Sequence, residues 1–196
     1  MLSFVTAPNI PNLQSQLGEK LAEYVEWRSR KYRQVSALAA LQEDCLLCET
    51  IPYWRIPRGV DLSRGNLNEQ LEEAGWHIQI RCDGRPRYYA RATVFSDDWT
   101  IDWIGEAWLA RAIDDGIDWL DIQEPELPDS TVRLLSSRLF EFSSFILEDR
   151  RHVVVSRSKA LPSVLPRFTW LSDCELAGRL LDFYGPDYAK GGLIAR

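Results

Sequence analysis

Alternation of apolar and polar side chains between Trp76 and Ile104 constrains the fold of this chain more than any other feature. In the first run, apolar residues at the even positions from 76 to 82 alternate with polar residues, and the turn signal Asp83-Gly84 follows. A second alternating run begins near Arg87, and a third begins at Trp99 after the turn signal Ser96-Asp97-Asp98. Because successive side chains of a strand point to opposite faces, these runs predict a three-stranded antiparallel meander with one apolar and one polar face.

The third run admits a second interpretation. Asp98 could cap a helix from Trp99 to Asp114, since apolar residues in that stretch also recur at helical spacing. We favour the strand, because Trp99, Ile101 and Trp103 alternate with polar residues as in the two preceding runs.

The predicted polar face gathers cationic and aromatic side chains into one candidate site. Arginine forks pair with phosphate or carboxylate groups, and a tyrosine ring offers a stacking plane. We therefore interpret this face as a partner-binding site, formed by His77, Arg81, Arg87, Tyr89 and Arg91, with Arg85 added by the turn. The alternative is a solvent-exposed sheet face whose arginines only guard against aggregation.

The remaining segments are expected to be mainly helical. Apolar residues at spacings of three and four predict a long N-terminal helix, and Ser172-Asp173-Cys174-Glu175 is a capping-box pattern. Pro and Gly mark the connectors. The expected helices are 12–48 with a bend near 28–34, 66–74, 106–114 ending at Gly116, 129–147 and 172–184; the expected short strands are 117–122 and 152–156; connectors are expected at 50–65 and 160–168.

These elements predict an α+β fold. We expect a two-layer arrangement in which the antiparallel meander, about 76–104, has its apolar face covered by the N-terminal helix and the 129–147 helix. The 196 residues are interpreted as a single domain, with 1–11 as an extended N-terminal segment and 188–196 as a loose C-terminal tail.

Charge and cysteine content restrict the partners and the compartment. The 23 Lys and Arg residues against 29 Asp and Glu residues give a net charge of −6, so nucleic acid is an unlikely partner. No stretch is apolar enough to be a signal peptide or a membrane span, which favours a cytoplasmic location without membrane association. The four cysteines are expected to be reduced. Cys45 and Cys48 form a C-x-x-C that could join Cys82 and Cys174 in a zinc site, but buried thiols on a helix are the favoured interpretation.

No motif in the chain identifies a reaction. His77 and His152 are its two histidines, and the nucleophile-elbow, zinc-protease and phosphate-loop patterns do not occur. No metal and no cofactor are expected. Eleven acidic residues lie between Asp97 and Asp129, whereas five bases and no acid lie between Arg150 and Arg167. We expect these two stretches to neutralise each other within the molecule.

Eight tryptophans and the excess of arginine over lysine indicate a recognition role. Trp76, Trp99 and Trp103 are assigned to the apolar face of the meander, whereas Trp27, Trp54 and Trp119 have no assigned partner. The leading hypothesis is a non-catalytic protein-binding or assembly module. The alternatives are a divalent-metal-dependent hydrolase or nuclease using the Asp97–Asp121 carboxylates, and single-stranded RNA binding on the polar sheet face.

Overall fold

The computed structural model describes residues 7–32, 44–105, 107–123, 132–186 and 188. The elements found in these ranges are α1 (Ile10–Tyr32), β1 (Cys45–Arg55), β2 (Glu72–Cys82), β3 (Arg85–Phe95), β4 (Asp98–Gly105), α2 (Ala107–Gln123), β5 (Arg133–Ser137), β6 (Phe142–Ile146), β7 (His152–Arg157), β8 (Trp170–Leu171) and α3 (Asp173–Tyr184). Two short 3₁₀ turns, Leu62–Arg64 and Leu67–Gln70, lie between β1 and β2.

The strands form a sheet in the order β4-β3-β2-β1-β5-β6-β7-β8. The β1–β5 pair is parallel, whereas the β2–β3, β3–β4, β5–β6, β6–β7 and β7–β8 pairs are antiparallel. Helices accompany this mostly antiparallel sheet, so the predicted α+β class is confirmed. The sheet is larger than the predicted meander.

The strands predicted between 76 and 104 are present and pair as expected. Trp76 lies opposite Ala92, and Ala92 lies opposite Ile101. At the first turn Asp83 and Gly84 have φ values of 52° and 73°, and at the second Ser96 and Asp97 have 50° and 68°. Positive φ at both central residues is the requirement of a type I′ hairpin turn. The strand interpretation of Trp99–Trp103 is therefore correct, and the helical alternative is wrong.

The N-terminal helix is shorter than predicted. The structure describes it over Ile10–Tyr32, and positions 33–43 of the prediction lie outside the described residues. Cys45 to Cys48, expected at the end of the helix, begin β1, which continues to Arg55 through the start of the expected connector. Hydrogen bonding to the neighbouring strand decides the conformation of this stretch, a long-range effect that helical spacing does not reveal.

Three further assignments are wrong. Residues 117–122 continue α2 instead of forming a strand, the 66–74 helix is a 3₁₀ turn followed by β2, and described residues of 129–147 form β5 and β6. Every residue of β6 is buried, so this strand lacks the alternation by which strands are recognised. The strand at 152–156 is confirmed, and the capping box at Ser172 opens α3 with both of its hydrogen bonds present.

Gly116 lies inside α2 and does not end the helix. Its role is to allow close packing. A Cβ atom at this position would lie 2.5 Å from Val155 Cγ1 and 2.9 Å from Phe145 Cε2, closer than real Cβ contacts allow. Because glycine has no side chain, α2 can pack closely against β6 and β7 at this position. A glycine selected for close approach looks in the sequence like a glycine that ends a helix.

The chain divides into two compact units. One, called here the N-terminal unit, comprises the described residues within 4–52 and 75–114; the other, the C-terminal unit, comprises the described residues within 53–74 and 115–196. The core of the C-terminal unit contains Phe140, Phe142, Val154 and Leu176. The core of the N-terminal unit joins α1 to the apolar face of the meander, with Leu13 and Leu17 packed in one cluster with Ile78 and Ile101.

Polar side chains of α1 bind strand backbone in the N-terminal unit. Gln16 accepts a hydrogen bond from the Ile101 amide at 3.0 Å and donates one to the Trp99 carbonyl at 3.1 Å. Gln14 accepts from the Leu47 amide at 2.8 Å and donates to the Cys45 carbonyl at 3.3 Å. The helix thus satisfies backbone groups of β4, which is an edge strand, and of the first part of β1.

Candidate functional site

Three residues of the predicted polar face are buried. His77, Gln79 and Tyr89 expose less than a tenth of their surface, and Gln79 Nε2 donates a hydrogen bond to the Ala110 carbonyl of α2 at 2.8 Å. The His77 and Tyr89 rings stack with centroids 4.7 Å apart. The expectation of a solvent-exposed polar face is wrong for these residues, and at Gln79 the reason is the packing of α2 against this face.

Burial also determines the charge state of His77. Desolvation, reinforced by the positive charge of Arg91, lowers the pKa of His77 to about 3. The ring is therefore neutral at physiological pH. Its Nε2 atom and Gln79 Oε1 are buried without a hydrogen-bond partner, so the region is polar and enclosed.

The arginines of the predicted site lie in different environments. Arg81 is held between Glu49, at 3.1 Å, and Asp114, and it is three-quarters buried. The carboxylates raise the pKa of this guanidinium although desolvation opposes them. Arg85 and Arg87 are exposed, and Arg91 is half-buried. The structure thus brings Arg81 into an internal ion triad, while Arg85 and Arg87 remain accessible for the partner binding predicted from sequence.

The cysteines differ from the expectation. Cys45 and Cys82 form a disulfide, whereas Cys48 and Cys174 are free thiols. The expectation of reduced thiols is therefore wrong for the bonded pair, and the four cysteines do not form the zinc site considered above. Desolvation, with the charge of Glu49 as a smaller cause, raises the pKa of the Cys48 thiol. A raised pKa reduces the thiolate fraction and with it nucleophilic reactivity.

The acidic stretch after Asp97 shows no constellation for metal chemistry in the described ranges. There, no three Asp, Glu, His or Cys side chains come together as a metal ion would require. Asp114 pairs with Arg81, and Asp115 pairs with Arg167 at 3.4 Å. The Asp115–Arg167 pair joins the acidic and basic stretches, which were expected to neutralise each other.

Two of the tryptophans that had no assigned partner pack inside the C-terminal unit. The Trp119 ring lies 5.9 Å from Phe168 and 5.3 Å from Trp170, and the Arg133 guanidinium lies over Trp54 at 5.3 Å. Their role in packing is sufficient to explain them. Trp27 differs from both.

An aromatic groove is formed where α1 meets the end of β4. It encloses about 200 Å³ and is lined by Lys20, Glu23, Tyr24, Trp27, Asp102, Trp103 and Ile104. Trp27 and Trp103 meet edge to face with centroids 6.4 Å apart, and Trp27 lies 6.0 Å from Tyr24. Tyr24 is buried, but Trp27 is 43% and Trp103 40% exposed. The groove thus has a fixed aromatic floor and two accessible indole rings.

A β-bulge explains the exposure of Trp103, which the sequence assigned to the apolar face. Ala92 pairs with Ile101 and Arg91 with Trp103, so Asp102 is an extra residue in β4. The alternation shifts at this point, and Ile101 and Ile104 are the buried residues. The predictions for Trp76 and Trp99 are correct, since Trp76 belongs to the core of the N-terminal unit and the half-buried Trp99 packs against it.

Charged residues around the groove are held by local contacts. Lys20 pairs with Glu23 at 3.0 Å, and Arg28 donates a hydrogen bond to the Tyr24 hydroxyl at 2.9 Å. The Lys31 ammonium lies 4.8 Å from the centroid of the Trp27 ring, a cation–π contact. These contacts orient the aromatic residues before any partner arrives.

No family model, curated protein or solved structure shows significant similarity to the chain. None of the described helices is long and apolar enough to cross a membrane. Function therefore has to be inferred from the side chains themselves.

Proposed function

We propose that this protein is a non-catalytic binding module that recognises a protein partner through the aromatic groove. The observation that carries the proposal is the pair Trp27 and Trp103, which are in contact with each other and yet substantially exposed. Tryptophan and arginine are the residues most enriched among those that dominate interface energetics. Their exposure on a rigid helix and strand favours recognition over catalysis.

The size of the groove supports recognition of a side chain. Pockets for drug-sized ligands and cofactors usually measure roughly 300–1,000 Å³, whereas this groove encloses about 200 Å³. A space of this size accommodates one or two side chains of a protein surface.

The first part of the β4 edge is already occupied. Gln16 satisfies the Ile101 amide and the Trp99 carbonyl, so a partner strand cannot pair with these groups without displacing the helix. Recognition therefore uses side chains of the groove instead of adding a strand to the sheet.

The arginine site predicted from sequence extends this surface. Arg91 lies directly opposite Trp103 in the β3–β4 register, and Arg85 and Arg87 precede it on β3. We propose that these arginines contribute to the rim of the interface. His77 and Tyr89 support the strand from inside and do not contact the partner.

We retain the cytoplasmic location expected from the sequence as part of the proposal. The Cys45–Cys82 disulfide weighs against a strongly reducing compartment.

Site-specific crosslinking tests the proposal. A photoreactive phenylalanine derivative at Lys20, in the wall of the groove, should capture one defined protein in the native host. The Trp27→Ala and Trp103→Ala double variant should lose this adduct. Trp108→Ala is the matched control, because Trp108 is an exposed tryptophan of the N-terminal unit outside the groove.

The expected loss follows from the energetics of hot spots. Truncation of such a residue costs at least about 2 kcal/mol, or about 30-fold in affinity. Circular dichroism verifies that the variants fold. An adduct that the double variant forms as well as the Trp108→Ala control would show that the groove is not the interface.

A further inference from the structure

We infer that the Cys45–Cys82 disulfide is a reversible redox switch for the contact between α1 and β1. The inference rests on the cytoplasmic location within the proposed function, because disulfides that form in the cytoplasm are mostly transient and act in catalysis or redox sensing. A reversible bond reconciles the disulfide with that location. Cys45 is the first residue of β1 and Cys82 the last of the neighbouring β2, so the bond closes one end of this strand pair.

The disulfide lies beside one of two polar anchors of α1. Gln14 accepts a hydrogen bond from the Leu47 amide at 2.8 Å and donates one to the Cys45 carbonyl at 3.3 Å. Gln14 thus takes the place that a neighbouring strand would have for these backbone groups. The second anchor, Gln16, binds β4, which contains neither cysteine of the bond. Of the two anchors, only Gln14 depends on where Cys45 is held.

The start of β1 relies on the covalent bond for its position. The adjacent hydrogen bond, from the Asp83 amide to the Asp44 carbonyl, is 3.3 Å long, against about 2.9–3.0 Å for a typical bond of this kind. The disulfide joins residues 37 positions apart and so restricts the conformations of the open chain. When it is broken, the free energy that opposes local opening of this end decreases.

The two sulfurs differ in their access to a reductant. Cys45 is partly exposed, whereas Cys82 is fully buried. A low-molecular-weight thiol such as glutathione therefore attacks the Cys45 sulfur; the S–S bond breaks, and Cys82 leaves as a thiolate that takes up a proton. A second glutathione then displaces Cys45 from the mixed disulfide. Two glutathione molecules are oxidised to one glutathione disulfide, and both cysteines are reduced to thiols.

Reduction changes the N-terminal unit at one place. Once the start of β1 separates from β2, Gln14 loses its partners, and the backbone groups of Cys45 and Leu47 become an open strand edge. The apolar core still holds α1, since Leu17 packs in one cluster with Ile78 and Ile101. The oxidised protein thus covers a strand edge that the reduced protein exposes.

Titration in glutathione buffers tests whether the bond is reversible. The Cys48→Ser and Cys174→Ser double variant is used, because it removes both free thiols and alkylation then reports on the Cys45–Cys82 pair alone. Mass spectrometry should find the bond reduced in excess reduced glutathione and restored in excess glutathione disulfide, without denaturant. A bond that reduced glutathione opens only after urea is added is a structural disulfide, and this result would overturn the inference.

Amide hydrogen exchange of the full chain, measured by NMR in both oxidation states, tests where the protein opens. Reduction should speed exchange of the Leu47 and Asp83 amides about tenfold or more, because their partners lie at the released end. The Ile101 amide, bonded to Gln16, is the matched control and should change by less than about twofold. Gln14→Ala should speed exchange at Leu47 in the oxidised protein while Asp83 stays slow.

Two exchange patterns would contradict the switch. One is unchanged exchange at Leu47 and Asp83 after reduction, and the other is equal acceleration at Ile101, which would indicate unfolding of the whole unit. Crosslinking at position 20 in the oxidised protein tests the groove separately. If the bond resists glutathione while the tryptophan-dependent adduct persists, only the switch is wrong. If the bond is reversible and the adduct no longer depends on the tryptophans, only the groove is wrong.

Discussion

Trp27 of α1 and Trp103 of β4 meet edge to face with their ring centroids 6.4 Å apart, and both remain accessible to solvent. A helix and an edge strand distant in sequence thus present one aromatic surface. The contact depends on α1 being fixed against β4 and on the bulge that turns Trp103 away from the apolar face.

Gln16 should be needed to keep α1 on the β4 edge. Gln16→Ala leaves the Ile101 amide and the Trp99 carbonyl without their helix partner, which should cost about 1–2 kcal/mol in the free energy of unfolding. Urea denaturation measures this cost. Glu19→Ala, an exposed position of the same helix, should change stability by less than about 0.5 kcal/mol. Equal effects of the two substitutions would argue against the role of Gln16.

The Cys45–Cys82 disulfide should stabilise the N-terminal unit. It joins residues 37 positions apart, and opening such a loop should lower the free energy of unfolding by about 2–4 kcal/mol. Thermal denaturation with and without a thiol reductant measures the effect. The Cys45→Ser and Cys82→Ser double variant should match the reduced protein, whereas Cys48→Ser should retain the sensitivity to reductant. A melting temperature unaffected by reductant would contradict this prediction.

His77 should make stability depend on pH. Its pKa in the folded protein is about 3, below the ordinary value of 6.5, so only the unfolded chain binds the proton at mildly acidic pH. The free energy of unfolding is therefore highest above pH 6.5, and it decreases as the pH falls toward 3. Between pH 6.5 and 5.0 the loss should be about 1–2 kcal/mol.

Urea denaturation at pH 6.5 and 5.0 tests this dependence. Most carboxylates remain ionised over this interval, so their titration contributes little. His77→Gln should have a smaller difference between the two pH values than the wild type. The prediction fails if the two proteins lose stability equally.

Two helical glycines should respond oppositely to alanine. Gly116→Ala places a methyl group against Val155 and Phe145 and should destabilise the protein by about 1–3 kcal/mol. Gly178→Ala in α3 has no atom within 4 Å of the new Cβ and should stabilise it by about 0.5–1 kcal/mol. Melting temperatures that change in the same direction would show that packing at Gly116 is looser than described.

The sequence is most informative where local chemistry decides the structure. The hairpin turns at Asp83-Gly84 and Ser96-Asp97 and the capping box at Ser172 depend on a few adjacent residues, and they form as predicted. The prediction that Gly116 ends a helix is wrong, because this glycine allows close packing against residues distant in sequence, Phe145 and Val155. The fully buried β6 carries no periodic signal at all.

In the candidate site, too, the sequence predicts local features better than long-range packing. Trp27 is one of three tryptophans without an assigned partner in the sequence, together with Trp54 and Trp119, so the sequence includes it among the candidates but does not single it out. Trp103 could not be assigned correctly, since the bulge at Asp102 interrupts the alternation. The contact of buried Gln79 with Ala110 likewise depends on how α2 packs against the sheet, which a two-residue pattern cannot predict.

Footprinting of the tryptophans tests the central claim most directly. The protein is exposed to hydroxyl radicals alone and in complex with the partner captured by crosslinking, and oxidation is measured for each tryptophan by mass spectrometry. The account predicts that Trp27 and Trp103 become protected in the complex, whereas Trp108, exposed by 54% in the structure, is oxidised as before. Unchanged oxidation of Trp27 and Trp103 in the complex would contradict it.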